Sequence, residues 1–261
     1  MVYSPFDFNE AIGHRKEYIE DRLRDGSPVV GVHYSTGLLL LTIRKTQRKV
    51  FEIYDRLLYS AIGNQSDIEA IRIAAIDVAH KEGFDRSPDD VTAQRLVSFA
   101  LSPPLKKLFG DQFNSPAIIR GIFGELGNTP EEDLFLVINY DGEFSQSNDF
   151  AVIAGTQEAE DRMSLWLMGI SSQTTREQAL DRAIKAWGAG AMESRRRQMK
   201  DDKDKHPLPE LDETEQLTNY LREELKTSHV EVGVLERNSL RENKFRLMND
   251  DDLRELLKEY S

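Results

Sequence analysis

Apolar positions recur along this chain with two periods, and the switches between them divide it into blocks. Over residues 7–25, Phe8, Ala11, Ile12, Tyr18, Ile19 and Leu23 return about every 3.6 positions with charges between them. That spacing predicts an amphipathic helix, which Gly26 stops. Residues 28–34 and 37–43 read as two strands joined by a turn at Ser35, Thr36 and Gly37, and 49–55 and 57–63 as a second pair. A helix is predicted over 66–82, where Ile68, Ile71, Ala74, Ala75 and Val78 share one side and Gly83 supplies a C-cap. In the next, "SPDDVTAQRLVSFAL", Ser87 can cap, Pro88 suits the first helical position, and Asp89 and Asp90 complement the helix dipole. Pro103 and Pro104 are expected to interrupt it before a short resumption at "LKKLFG".

Strands follow at 117–123 and 134–139. Asp141-Gly142 then makes a hairpin turn, Phe144 starts the return, and 150–154 is a further strand. Helices are predicted over 157–169 and 175–190, the second opened by Thr174 or Thr175 and closed near Gly188 and Gly190. Residues 191–226 are polar, charged and proline-punctuated. They read as an excursion inserted within the domain, with a polar helix at "ETEQLTNYLREELK". "HVEVGVLE" and "NKFRLM" are strands, and "NDDDLRELLKEY" is a capped terminal helix. Strands and helices in separate blocks imply an α+β architecture, two sheets with helical layers outside, as one domain over 1–261.

Composition narrows the function. The chain is 39% hydrophobic and 31% charged, and no apolar run approaches the ~20 residues a membrane span needs. The opening "MVYSPFDFNE" has no basic region ahead of an apolar one, so no secretory signal is expected. There are no cysteines, which excludes thiolate chemistry and makes the cytoplasm the default compartment. A net charge of −12 argues against nucleic acid, and "SRRRQMK" runs straight into "DDKDKH". The histidines at 14, 33, 80, 206 and 229 lack ligand spacing, so no metal is expected. "GAGAM" follows a helix instead of opening one, so it is no phosphate loop and no cofactor is implied.

Several short words, in order, resemble the proteasome subunit family, specifically its bacterial (actinobacterial-like) α-type members. Gly26-Ser27 with "VVGV" and "TGLLLL" resembles the family's opening strand and its glycine-led return. "RKVFEIYDRLLYSAIG", "RSPDDVTAQRL", "INYDGEF", "FAVIAGT" and "HVEVGVLE" are similar to its later segments. The resemblance covers most of the chain. It implies a four-layer αββα Ntn-hydrolase sandwich with an N-terminal surface helix at 7–25. It also implies a heptameric outer ring of a 20S proteasome that gates substrate entry, stacks on catalytic β-type subunits and docks a hexameric ATPase activator through C-terminal tails.

Catalysis in this fold needs a hydroxyl on the first residue of the mature chain, a free α-amine, a nearby lysine and an aspartate to hold it. Ser27 aligns with the nucleophile. It lies behind a segment that reads as structured helix, however, and Ile43 stands where the aspartate belongs. Gly155 stands where active subunits carry a serine, and Pro28 departs from the usual small or hydroxyl residue. The expectation is a non-catalytic subunit, with activity in the β-type partner; the alternative is a self-processing Ntn hydrolase with Ser27 as N-terminal nucleophile. By position Lys49 resembles the α-type lysine that pairs with an activator's C-terminal carboxylate, and Arg44, Lys45 and Arg48 would make the pocket mouth positive. The tail Met1, Val2, Tyr3, Ser4 and Pro5, within a 1–6 gate segment, is expected to contribute to an axial gate. It lacks the Tyr-Asp-Arg of archaeal and eukaryotic relatives.

Overall fold

A computed structural model describes residues 5–111, 113–201 and 213–260 of the chain. Two five-stranded antiparallel sheets form its centre. The first contains β1 (Val29–Tyr34), β2 (Gly37–Arg44), β8 (Phe150–Ile153), β9 (His229–Glu236) and β10 (Phe245–Leu247), in the order β10-β9-β2-β1-β8. The second runs β3-β4-β5-β6-β7, built from β3 (Val50–Tyr54), β4 (Leu57–Gly63), β5 (Ile119–Glu125), β6 (Leu134–Asn139) and β7 (Phe144–Ser147).

The "LLLL" run shows why the sheets are layered. Residues 38–41 of β2 are all fully buried, which a strand with one wet face cannot achieve. Alternate side chains serve two different cores. Leu39, Leu41 and Ile43 pack beneath α5 (Gln157–Leu167) and α6 (Arg176–Asp201), against Met163, Ala183 and Trp187. Leu38 and Leu40 point the other way, toward Leu58, Ile122 and Phe135 of the facing sheet. A third core packs the second sheet against α2 (Gln65–Asp85), α3 (Ala93–Arg95), a π-helical turn Leu96–Leu101 and α4 (Ser102–Gly110). Helix, sheet, sheet, helix is the expected four-layer sandwich.

The N-terminal helix α1 spans Pro5–Leu23, so Pro5 and its neighbour at position 6 belong to the helix, not to a tail. Its last turns are anchored: Ile19 and Leu23 are buried in the core between the sheets. Met1, Val2, Tyr3 and Ser4 lie outside the described residues.

The structure departs from several of the helix ends that the sequence predicts: Gly83 lies inside α2, which runs on to Asp85. Ser87 caps only a 3-10 turn, Pro88–Asp90, and the helix proper starts after Thr92, whose hydroxyl accepts from Arg95 N at 3.3 Å. Pro103 and Pro104 interrupt nothing: they occupy the first turn of α4, where missing N–H groups cost little, directly after the π turn. Gly188 and Gly190 do not close α6, which continues to Asp201. A Cβ on Gly190 would fall 2.5 Å from Met163 Sδ, so this glycine lets α5 and α6 approach. The 191–226 excursion is correspondingly helical at both ends, through α6 and α7 (Glu213–Leu225), and Leu217 and Leu221 of α7 are core residues.

Candidate functional site

Where α1 ends, the chain turns sharply into β1. Gly26 N–H bonds to Leu23 O at 2.9 Å, and Ser27 and Pro28 lead into the strand. Beneath this turn passes Gly155. A Cβ there would lie 2.5 Å from Arg24 O and 2.6 Å from both Arg24 Cα and Leu23 O, all backbone atoms. The linker between α1 and β1 thus occupies the space that a side chain at 155 would need.

Beside the turn opens a cavity of about 560 Å³. The linker forms one wall, the end of β2 and the 45–49 turn a second, and α6 and α7 a third, through Trp187, Arg195, Tyr220 and Glu224. Arg24, Arg44, Lys45, Arg48 and Arg195 outnumber Asp25 and Glu224 along the lining, a basic concavity in a protein of net charge −12.

Ser27 lines this cavity, but its hydroxyl proton is committed: Oγ donates to the Ile43 carbonyl at 2.7 Å and accepts from Trp187 Nε1 at 3.3 Å. Its backbone nitrogen lies within the chain that continues α1. Ile43 is 3% exposed in the core under α6 and offers no carboxylate. Of the three expected degenerate positions, the structure brings Ser27 and Ile43 together in the cavity, while Gly155 packs below the turn.

Lys49 reaches the same place from the other sheet, at the start of β3. Its Nζ donates to the Ser27 carbonyl at 2.8 Å. Lys49, the residue singled out for docking, therefore lies beside Ser27. Burial pulls its pKa from 10.5 down to about 8, an effect that the nearby Glu231 carboxylate partly offsets.

Sequence reasoning passed over Glu231. Its carboxylate is 6% exposed and accepts from Lys49 N at 3.1 Å and Val50 N at 2.8 Å. It also pairs with Arg44 Nε at 2.6 Å. The only signal in the sequence is an acid in the middle of the strand "HVEVGVLE", where an apolar residue is the norm. Arg48 stacks on Phe51 and Phe245, with its guanidinium 5.6 and 5.9 Å from the ring centroids.

No family profile matches the chain. Curated relatives do. It is 31% identical over 179 residues to the proteasome subunit alpha of Actinosynnema mirum, covering 68% of this chain and 66% of that protein. It is 31% identical over 147 residues to the proteasome subunit alpha of Geodermatophilus obscurus, covering 56% of this chain and half of that one. The match to the protein of the same name from Thermobifida fusca is 25% identical over 247 residues, 94% of this chain and 86% of the other. The chain thus spans half to two thirds of the length of the first two relatives.

Proposed function

From the premise that this chain belongs to the family of bacterial proteasome α subunits, we propose that it is a non-catalytic ring subunit serving protein degradation in the cytoplasm. It forms a heptameric outer ring, stacks on catalytic β-type subunits and gates their chamber through its N-terminal segment, with Met1, Val2, Tyr3 and Ser4 as gate residues ahead of α1. Peptide hydrolysis belongs to the β-type partner.

One observation carries the non-catalytic reading. Helix α1 is held by Ile19 and Leu23 in the core between the sheets and runs directly into Gly26 and Ser27. While it stays attached, the Ser27 nitrogen is an amide, which cannot act as the base this chemistry needs. Apolar side chains left in solvent on the opposite helical layer, Ile73, Phe84 and Phe99, support burial of that layer in an assembly.

The basic cavity supports a docking role for Lys49. An ammonium on a fixed strand at the wall of a partly dry cavity suits the C-terminal carboxylate of a hexameric ATPase activator's tail. The test is Lys49→Ala in the assembled particle. Rings by electron microscopy and basal peptide hydrolysis should persist while stimulation by the ATPase is lost; unchanged stimulation removes the docking role.

A second reading has one observation in its favour, namely that Lys49 lies beside Ser27 as a catalytic lysine would. It makes the chain a self-processing hydrolase with Ser27 as nucleophile. N-terminal sequencing of the purified protein decides: a mature chain beginning at Ser27, with activity abolished by Ser27→Ala, would replace the scaffold reading.

A further inference from the structure

Glu231 is a buried acid at this site to which neither the fold nor the proposed docking assigns a role. It lies on β9 opposite Thr42 of β2, so its side chain shares the inter-sheet face with Thr42 and reaches across to the other sheet. There it accepts two successive N–H groups, from Lys49 and Val50, and Arg44 closes its second oxygen. Two residues along, Gly233 lets β3 come close: a Cβ there would fall 2.5 Å from Val50 Cγ1. A buried carboxylate costs several kcal/mol unless it is well paired. An apolar residue would fill the strand position without that cost, so the acid's contacts need an explanation.

We propose that Glu231 is the positioning residue of the Lys49 docking site, clamping the Lys49–Val50 peptide and keeping the Lys49 side chain in its cationic form for an incoming carboxylate. This rests on the docking reading of Lys49. The clamp acts by geometry, since the two N–H bonds fix the backbone from which the Lys49 side chain projects. It also acts by charge. Burial opposes the ammonium, and the other charged groups facing the cavity are mostly cations: Arg44, Lys45 and Arg48 around the 45–49 turn, Arg24 at the end of α1 and Arg195 on α6. Asp25 and Glu224, at the end of α1 and on α7, are the acids among them. Among the described residues, Glu231 is the acid whose charge favours the Lys49 ammonium. Arg44, paired with its far oxygen, limits the repulsion that an arriving carboxylate would feel.

The test measures the Lys49 titration and the docking together, in the purified full-length protein in its native assembly. Competitive acetylation with acetic anhydride, resolved by peptide mass spectrometry, gives the pH midpoint of Lys49. Fluorescence anisotropy gives the affinity of labelled Ala-Tyr-Leu with a free C-terminal carboxylate, and of its C-terminal amide as control. Glu231→Gln keeps an acceptor but removes the charge. It should lower the Lys49 midpoint by about one pH unit, the effect of losing the opposite charge that favours the ammonium. It should also weaken the free-carboxylate peptide about fivefold at pH 8 while changing it little at pH 6. Arg44→Gln, on a partly exposed side chain, removes the closer of the two cations paired with Glu231, leaving Arg48 Nε at 4.0 Å, and should move the midpoint upward.

A midpoint unmoved by Glu231→Gln overturns the proposal. If that variant does not fold, Arg44→Gln decides alone, and an unmoved or lowered midpoint is then the overturning result. Lys49→Ala separates the two levels. If it abolishes peptide binding while Glu231→Gln changes neither midpoint nor affinity, the docking reading stands and the positioning role fails. If Lys49→Ala leaves peptide binding intact, the docking reading itself fails.

Discussion

Replacing Lys49 by methionine should change how stability depends on pH, with a sign that follows from burial. The Lys49 pKa is about 8 in the folded chain against 10.5 for an ordinary lysine. Between those values the unfolded chain binds more protons than the folded one, so the lysine makes folding more favourable as pH rises through that window. Below pH 8 both states are protonated and the full penalty of the buried ammonium applies; above 10.5 it is gone. The 2.5-unit gap corresponds to about 3 kcal/mol. Water entering through the cavity mouth reduces the expected amplitude to about 2 kcal/mol. The quantity to measure is the difference between wild-type and Lys49→Met unfolding free energies, from urea denaturation at several pH values between 7 and 10.5. Trp187, which hydrogen-bonds to Ser27 in the same cavity, reports locally by fluorescence. Taking the difference cancels the buried tyrosines, such as Tyr34, which burial raises to about 12 and which titrate alike in both chains. Wild type should gain on Lys49→Met by about 2 kcal/mol across the window. A flat difference curve, or one of opposite slope, would refute the claim that Lys49 is held against a desolvation penalty.

Other consequences follow from the packing around the site. Gly155→Ser would push Cβ to 2.5 Å from the Arg24 carbonyl. Because the obstacle is backbone, the cost should be about 3 kcal/mol, read as a fall of about 6–12 °C in Tm with no gain of peptidase activity. Gly190→Ala would bring a Cβ to 2.5 and 2.6 Å from Sδ and Cγ of the fully buried Met163, so overpacking should outweigh the helix propensity gained and cost about 1–2 kcal/mol by urea denaturation. Asp133 is fully buried, accepts two bonds from Arg237 NH2 at 2.6 and 2.7 Å and one from Gly127 N at 2.8 Å, and lies 2.9 Å from His33 Nε2. Asp133→Ala strands those donors, and calorimetry should register a loss of about 3–5 kcal/mol.

The strands and their layering were legible because β2 spells them out: seven successive positions, Gly37 to Ile43, buried on both faces, can lie only inside a sandwich. Helix ends were less legible, because glycine and proline carry two meanings. Gly83 and Gly190 look like stops, yet each marks a close approach, of Tyr54 Oη at 2.3 Å to the first and of Met163 to the second had either carried a Cβ. Local sequence cannot distinguish a glycine that ends a helix from one that admits a neighbour. The site was legible residue by residue but not as an arrangement. Ser27 and Lys49 are 22 positions apart and meet only because the β1–β2 hairpin folds back and the facing sheet delivers β3. Glu231 lies 182 positions from Lys49, on a strand added to the sheet's far side, and nothing in "HVEVGVLE" says what its acid touches.

Ser27 and Lys49 share one cavity, and the titration of Lys49 separates the chemistries it can serve there. A general base must be neutral to accept a proton. A lysine with pKa about 8 is neutral in only about a tenth of molecules at pH 7. As a cation for docking, the same group is competent in about nine-tenths of them. Its present hydrogen bond points the same way, since Nζ donates to the Ser27 carbonyl while the Ser27 hydroxyl gives its proton to Ile43 O. The ammonium and the hydroxyl are therefore not joined along a proton path. A carboxylate entering the cavity would replace the Ser27 carbonyl as the ammonium's acceptor, adding ion-pair attraction to a hydrogen bond that the ammonium already makes charge-assisted. A β-lactone, which acylates an N-terminal hydroxyl nucleophile, should leave Ser27 unlabelled in the intact chain. A Ser27 adduct found by mass spectrometry would return the cavity to catalysis.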